Sequence, residues 1–372
     1  MKKIFLLILF SCLLFKPALA FSAPSDFTPV ADIVFKARVN RILEERIIKR
    51  DDGSSSVQQN LELIGLNNQW KSKTIVHYGI SEIDVPSSNN YRINDIVLVS
   101  AVNNNENGVD FFVTDFVRTK YLYWLAFIFA LVIIIIGKSK GVKSIISLVI
   151  SFVIIMSFII PRIIAGDNPL LIGVLGSLMI LAVIIYLTEG WNKKSHVAIL
   201  SVLISLLLTF GLSSLFVYLT RLTGMAQEET IFLIGADNGQ INFRGLLLTG
   251  ILIGAVGVLD DIIIGQIEAV KQIKKLNPNL SLKETYRAGY KIGNTHLGAI
   301  VNTLFLTYAG VSLPLLLLTN FGNSGHIPFE QVINNELIAT EIIRTLVGSI
   351  GVALSMPIAT FLAALLLKPN DD

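Results

Sequence analysis

Cysteine is all but missing from this chain: one residue, Cys12, in 372 positions. That excludes a disulfide framework and leaves no Cys/His set for a metal. The four histidines, His77, His196, His296 and His326, are nowhere four residues apart, so no H-E-x-x-H zinc site exists. There is no G-x-x-x-x-G-K-[ST] loop and no G-x-G-x-x-G run, which removes the two commonest nucleotide-binding signatures and with them direct coupling to ATP within this chain. No cofactor and no metal is expected. Charge is scarce as well, at 15% Asp, Glu, Lys and Arg, while 53% of residues are hydrophobic and the mean hydropathy is +0.67. A soluble domain of this length needs far more polar surface, so lipid is the expected solvent. The net charge of +3 does not point to nucleic acid, because the basic residues gather in the connections between apolar runs and form no single basic face.

The expected fold class is a mostly helical membrane protein: about seven transmembrane helices preceded by a signal peptide and a small all-β domain. Residues 1–20 read as the signal. Lys2 and Lys3 precede the apolar stretch from Ile4 to Phe15, and Ala18-Leu19-Ala20 supplies small residues for cleavage after Ala20. An uncleaved N-terminal anchor, which adds an eighth helix, stays open as the other reading. Residues 24–118 then turn polar, with short runs of period-two alternation: around Ile33 to Val39, Val57 to Ile64, Ile75 to Tyr78, Ile96 to Val102 and Phe111 to Val117. Asp51-Asp52-Gly53 and the Asn-rich stretch from Asn103 to Gly108 supply turns. Five strands in so short a stretch suggest a barrel or a sandwich. His77, a lone histidine in a strand, reads as a packing residue.

The bundle is expected over 121–368. Seven apolar segments lie near 121–137, 144–160, 170–187, 197–220, 245–267, 297–319 and 338–367, each near the twenty residues that cross a hydrocarbon core of about 30 Å. With the β domain outside, the inner loops of the bundle and its tail hold twelve Lys and Arg residues, from Lys138 to Lys368, and the outer loops between its helices hold three, Arg162, Arg221 and Arg244. That asymmetry predicts a bacterial cytoplasmic membrane protein with its mature N-terminal domain outside and its C-terminus in the cytoplasm. Ser281-Leu282-Lys283-Glu284 is a capping box that should start a short basic helix beside the inner leaflet.

Candidate chemistry concentrates in the fifth segment. Gly250, Gly254, Gly257, Asp261 and Gly265 fall on one helical stripe, a helix-packing face that takes Asp261 with it, while Asp260 points about 100° away. A carboxylate at membrane depth costs at least about 2.5–3.5 kcal/mol on insertion scales and is by default a site for an ion, a proton or a substrate. An early end to this helix near Leu259, with both acids at the inner interface, is the bland alternative. The sixth segment runs the opposite way and brings Asn302 and Thr303 to a similar depth, with Thr303, Thr307 and Gly310 on one face. These are candidate partners lining a path, though ordinary interhelical hydrogen bonding accounts for them equally well. Glu341 and Arg344 are spaced to pair in the seventh segment, where Pro357 introduces a kink. Gln266 and His296 are interfacial candidates.

The run from Gly254 to Asp261, Gln266, Leu276-Asn277-Pro278, Ile292-Gly293, Asn302-Thr303-Leu304 and Tyr308-Ala309-Gly310 together resemble the YibE/F-like family of bacterial multi-pass membrane proteins. The likeness covers the membrane region, is most specific from Gly250 to Leu315, and extends to the layout with a preceding β domain. Some members resemble this chain in carrying Asp-Asp and others only the second acid, so Asp260 carries over less firmly than Asp261. What the resemblance implies is a permease-type protein with no substrate assigned.

Two functional classes follow. In one, the chain is a permease for a small ion or solute, with Asp261 and Asp260 binding a cation or proton and Asn302, Thr303 and Thr307 along the path. In the other, it is an accessory subunit anchored by its bundle, whose β domain binds a protein partner outside. An aspartyl protease needs two acids from different helices facing one another, which Asp260 and Asp261 do not supply, so the chain is not expected to be an enzyme.

Overall fold

A computed structural model describes residues 33–49, 55–80, 90–104, 108–227, 229–230, 233, 241–318 and 328–369. The expected signal segment 1–20 and the turn at 51–53 lie outside the described residues. The chain divides into two compact units, one ending at Val132 and one resuming at Ile133.

In the first unit, alternation along the sequence becomes a closed core. Strands β1 (Ile33–Lys49), β2 (Ser55–Gly65), β3 (Thr74–Tyr78), β4 (Ile96–Asn104) and β5 (Gly108–Phe116) form one antiparallel sheet in the order β3-β2-β1-β4-β5. Phe35, Ala37 and Val39 of β1 point inward with Leu61, Leu63, Val97 and Val99. Register shifts between Val39 and Arg41 and between Ile42 and Glu44 give the long β1 the bulges that let it bend from β4 to β2. The two ends of the order meet: His77 Nδ1 of β3 is 2.8 Å from the Phe111 carbonyl oxygen of β5. The sheet is therefore a five-stranded, partly open barrel of the general kind seen in OB folds. Trp70, in a 3-10 turn (Asn68–Trp70), plugs one end by stacking on Phe35 and meeting Phe111 edge-on at 4.8 Å. The segment before β4 is strapped down by buried Gln59, whose amide accepts from Tyr91 N at 2.8 Å and donates to Tyr91 O at 3.2 Å.

The helices are α1 (Thr119–Ile154), α2 (Ile160–Ile164), α3 (Pro169–Glu189), α4 (Lys193–Leu219), α5 (Phe243–Leu276), α6 (Leu282–Val311), α7 (Leu313–Leu318), α8 (Phe329–Ile333) and α9 (Glu336–Leu366). Asparagines open most of the long ones: Asn168, Asn192, Asn242 and Asn335 each accept from a backbone N–H in the first turn, at 2.8–3.0 Å. Each such cap contributes roughly 1 kcal/mol. α1 breaks at Lys138 (φ +50°), so it is two arms, and Gly141 returns so close to the first arm that a Cβ there would stand 2.2 Å from the Ile133 carbonyl oxygen. A π turn over Ile155–Ile159 precedes Pro161, which has no N–H to give the carbonyl four residues back. The helix expected to start at Ser281 is not a separate short element. Its capping box is formed, but the helix runs on for 30 residues as α6.

Five helical spans are long and apolar enough to cross a membrane: Thr119–Ile164, Pro169–Glu189, Lys193–Leu219, Phe243–Leu276 and Glu336–Leu366. With the two arms of α1 counted separately and α6 added, seven long helices are present among the described residues. α6 is not among the five apolar spans: its first half carries Lys283, Glu284, Arg287 and Lys291, and Asn294, His296 and Asn302 lower the hydropathy beyond them. α9 packs against α4, α5 and α6, and α5 also against α3 and α4, around a core that includes Leu181, Leu206, Leu252, Leu259, Val352 and Ala359. The α4–α9 contact is very close. Ser201, Ser205, Thr209 and Ser213 are fully buried on one face of α4, each hydroxyl donating to the carbonyl four residues earlier at 2.8 Å. Gly351 of α9 lies so near that a Cβ there would be 2.1 Å from Thr209 Oγ1.

Candidate functional site

α5, α6 and α9 enclose a half-open cavity of about 230 Å³, lined by Asp261, Gly265 and Gln266 of α5, Gly293, His296 and Ile300 of α6, and Met356 of α9, among others. The helix register explains the gathering. Asp261 and Gly265 are one turn apart on α5, and Gly293, His296 and Ile300 recur at three and four residues on α6. The floor is set by Gln266, which is 5% exposed and donates from Nε2 to the Gly289 carbonyl at 2.6 Å. Gly293 has to be glycine for that geometry, since a Cβ would stand 2.5 Å from Gln266 Oε1 and 2.7 Å from Met356 Cγ. Pro357 follows Met356 inside α9 and gives no N–H to the Ala353 carbonyl. The lining therefore offers a carboxylate, an amide oxygen, an imidazole and a thioether: acceptors suited to a cation or a proton, without a nucleophile and base in contact.

Asp260 is half-buried and does not line the cavity. Asn302, Thr303 and Thr307 are exposed on α6, and the two threonine hydroxyls donate to their own helix, to Ala299 O at 2.9 Å and Thr303 O at 2.8 Å. His296, Ile300, Thr303, Thr307 and Gly310 do fall within about 40° of one line on α6, so the threonines continue the stripe that lines the cavity. The glycine stripe of α5 is placed differently from its expected packing role. Among the described residues, Gly250, Gly257 and Gly265 have open space where a Cβ would stand, and of the four stripe glycines only Gly254 meets another helix, at the Tyr308 hydroxyl of α6. Close small-residue packing sits instead between α4 and α9.

His296 and Gln266, interfacial candidates in the sequence, line the cavity together with Asp261, and Asp261 and His296 are both exposed on their helices. Met356 gave no sequence signal at all. A second polar assembly was also missed: Lys194 of α4 bridges Glu189 of α3 at 2.5 Å and Glu268 of α5 at 2.8 Å, tying the facing ends of α3 and α4 to the last third of α5.

The sequence model of the YibE/F-like proteins matches residues 125–369, which takes in α1 from its seventh residue, all the later helices and the cavity among them. The chain belongs to the YibE/F-like family. The match starts beyond β5, so the barrel lies outside it while Asp261, Gln266, His296 and Met356 all lie inside it. Among curated proteins and solved structures nothing matches.

Proposed function

We propose that this YibE/F-like protein is a permease of the bacterial cytoplasmic membrane that moves a small cation, the proton included, past Asp261. The observation that carries the reading is the half-open cavity joining Asp261, Gln266 and His296 from two helices against Met356 of a third. Membrane insertion is supported by helices that are apolar around their whole circumference, with Leu171, Leu175, Leu207, Leu215, Leu306, Leu346 and Phe361 among the large side chains left exposed. In this reading residues 1–20 direct export, the barrel stands outside, the C-terminus is inside, and the cavity opens nearer the inner face. The cation's ligands are the Asp261 carboxylate and Gln266 Oε1, with His296 as a second group able to take up a proton. Asp260, Thr303 and Thr307 shape the approach.

The deciding experiment measures H+, Na+ and K+ flux in sealed proteoliposomes holding the purified full chain and its Asp261→Asn variant. Wild-type flux that vanishes in a folded Asp261→Asn protein is the expected result; no flux of any of the three ions in wild type refutes it. The barrel's existence as its own compact unit favours a second reading, an anchored accessory subunit with an external protein partner. Stoichiometric co-purification of one partner, lost when the barrel is deleted, distinguishes that case.

A further inference from the structure

The bundle holds a second polar station in line with the cavity. Glu341 and Arg344 of α9 have side chains only 17% and 22% exposed, and Arg344 NH1 lies 3.5 Å from Glu341 Oε1. That is a loose contact beside the 2.7–2.9 Å of a close charged hydrogen bond. It also leaves capacity unused: Glu341 Oε2 and Arg344 Nε are both enclosed and meet no hydrogen-bond partner among the described residues. Tyr308 of α6 lies within electrostatic range of both charges, and its hydroxyl faces Gly254 of α5. The same three helices that build the cavity therefore build this cluster.

Helix rise gives the spacing. Gly254 and Asp261 are seven residues apart on α5, about 10 Å, and Tyr308 and His296 twelve apart on α6, about 18 Å. Between the levels, Leu304 of α6 is 4% exposed and lies against Gly348 of α9, at 3.4 Å from where a Cβ would be. One apolar contact thus separates two acidic stations, one towards the start of α9 and one towards the inner end. A carboxylate whose counter-ion is held loosely by one oxygen, with the other oxygen enclosed and unpaired, is built to exchange that counter-ion.

We infer that Glu341 is the outer cation station of this permease, and that Arg344 is its resident counter-ion, displaced from Glu341 when a cation enters from outside. The inference rests on the permease reading above and adds a site, a competitor and a side of the membrane to it. Arg344 competes with the incoming ion for one carboxylate, so removing the guanidinium tightens external binding, and removing the carboxylate weakens it. Neither change reaches the Asp261 cavity, which lies beyond Leu304.

The test uses proteoliposomes of the full chain and whichever of H+, Na+ and K+ the wild type moves, with half-saturating concentration read separately from each side. Arg344→Gln should lower the external value severalfold and Glu341→Gln should raise it at least tenfold, with the internal value unchanged within twofold. Arg344→Lys keeps the charge in a more compact group and should fall between wild type and Arg344→Gln. Because single removal strands a buried charge, the Glu341→Gln/Arg344→Gln double variant is measured too; with no charge to strand, it should fold and keep the raised external value. External values unchanged in the folded variants, alongside flux that still depends on Asp261, overturn the inference and leave the permease reading standing. Absence of wild-type flux overturns both.

Discussion

Gly351 allows the packing of the bundle to be tested with one methyl group. A Cβ at this position would stand 2.1 Å from Thr209 Oγ1 and 3.1 Å from both Thr209 Cβ and Cγ2. Thr209 is fully buried and its hydroxyl is committed to the Ser205 carbonyl, so the side chain cannot swing away without giving up that bond. α9 and α4 must separate instead. Overpacking of this kind costs about 1–3 kcal/mol, against a gain of up to about 1 kcal/mol from replacing a helical glycine with alanine. Gly351→Ala should therefore destabilise by roughly 1–2 kcal/mol. Gly250→Ala and Gly257→Ala, which meet open space, keep only the propensity gain and should be neutral or slightly stabilising. Thr209→Ala removes Oγ1 and Cγ2, so the Gly351→Ala/Thr209→Ala pair should recover most of the loss in a double-mutant cycle. The assay is reversible denaturation of the purified full chain in mixed micelles, with helix content as the signal. Additive behaviour of the pair would show that Gly351 and Thr209 do not meet. A cost at Gly257→Ala equal to that at Gly351→Ala would show that something covers the open stripe of α5.

Other expectations follow from the same contacts. In Gly293→Ala, the added methyl displaces Gln266 Oε1 or Met356 from the cavity wall and should lower flux by more than its modest loss of bundle stability explains, as read by transport beside thermal denaturation. Lys194→Met leaves Glu189 and Glu268 without their shared partner and should cost about 1.5–3 kcal/mol in the same micellar denaturation, an effect that Glu268→Gln in addition should reduce. Burial pushes the His77 imidazole below its ordinary range, partly opposed by the bond to the Phe111 carbonyl. The unfolded chain thus takes up a proton near pH 6.5 that the folded barrel resists, so barrel stability is full above that pH and declines as pH falls through it. Amide exchange in β3 and β5 of the full chain should speed up between pH 7 and pH 5.5 beyond the intrinsic trend, and should not do so in His77→Gln. Gly224, at φ +78° with the Phe243 carbonyl oxygen 2.3 Å from any added Cβ, should lose at least about 1 kcal/mol as alanine in the denaturation assay.

The barrel was legible because its interior obeys a period of two: Phe35, Ala37 and Val39 alternate with Val34, Lys36 and Arg38, and the fold keeps that alternation. What alternation cannot say is whether the outer strands meet, and the His77–Phe111 contact that makes the sheet a barrel joins residues 34 positions apart. Helical runs were legible from length and apolarity, and the stripe of Gly250, Gly257 and Asp261 from a period of 3.6. The neighbours of that stripe were not. A periodic pattern names a face without naming what the face touches, so a glycine row was read as packing where the described bundle leaves it open. The Ser201-Ser205-Thr209-Ser213 row has the same spacing and does pack, because Gly351 stands opposite it. His296, an interfacial candidate in the sequence, lies midway along the unbroken α6, just past its basic half, and lines the same cavity as Asp261.

The open stripe bears directly on how a carboxylate can stand where Asp261 stands. In the permease reading the Asp261 charge set against hydrocarbon alone costs at least about 2.5–3.5 kcal/mol, and among the described residues Thr303 and Thr307 spend their hydroxyl protons on their own backbone. A half-open cavity with Gln266 and His296 beside it lowers that cost by admitting water or an ion on the side the helices leave free. The three glycines with open space next to them widen the same side, which a packing role alone does not explain. Small residues and an acid on one strip of α5, beside acceptors from Gln266 and from α6 and α9, are what a path for a hydrated cation needs, and a close helix–helix seam needs only the small residues.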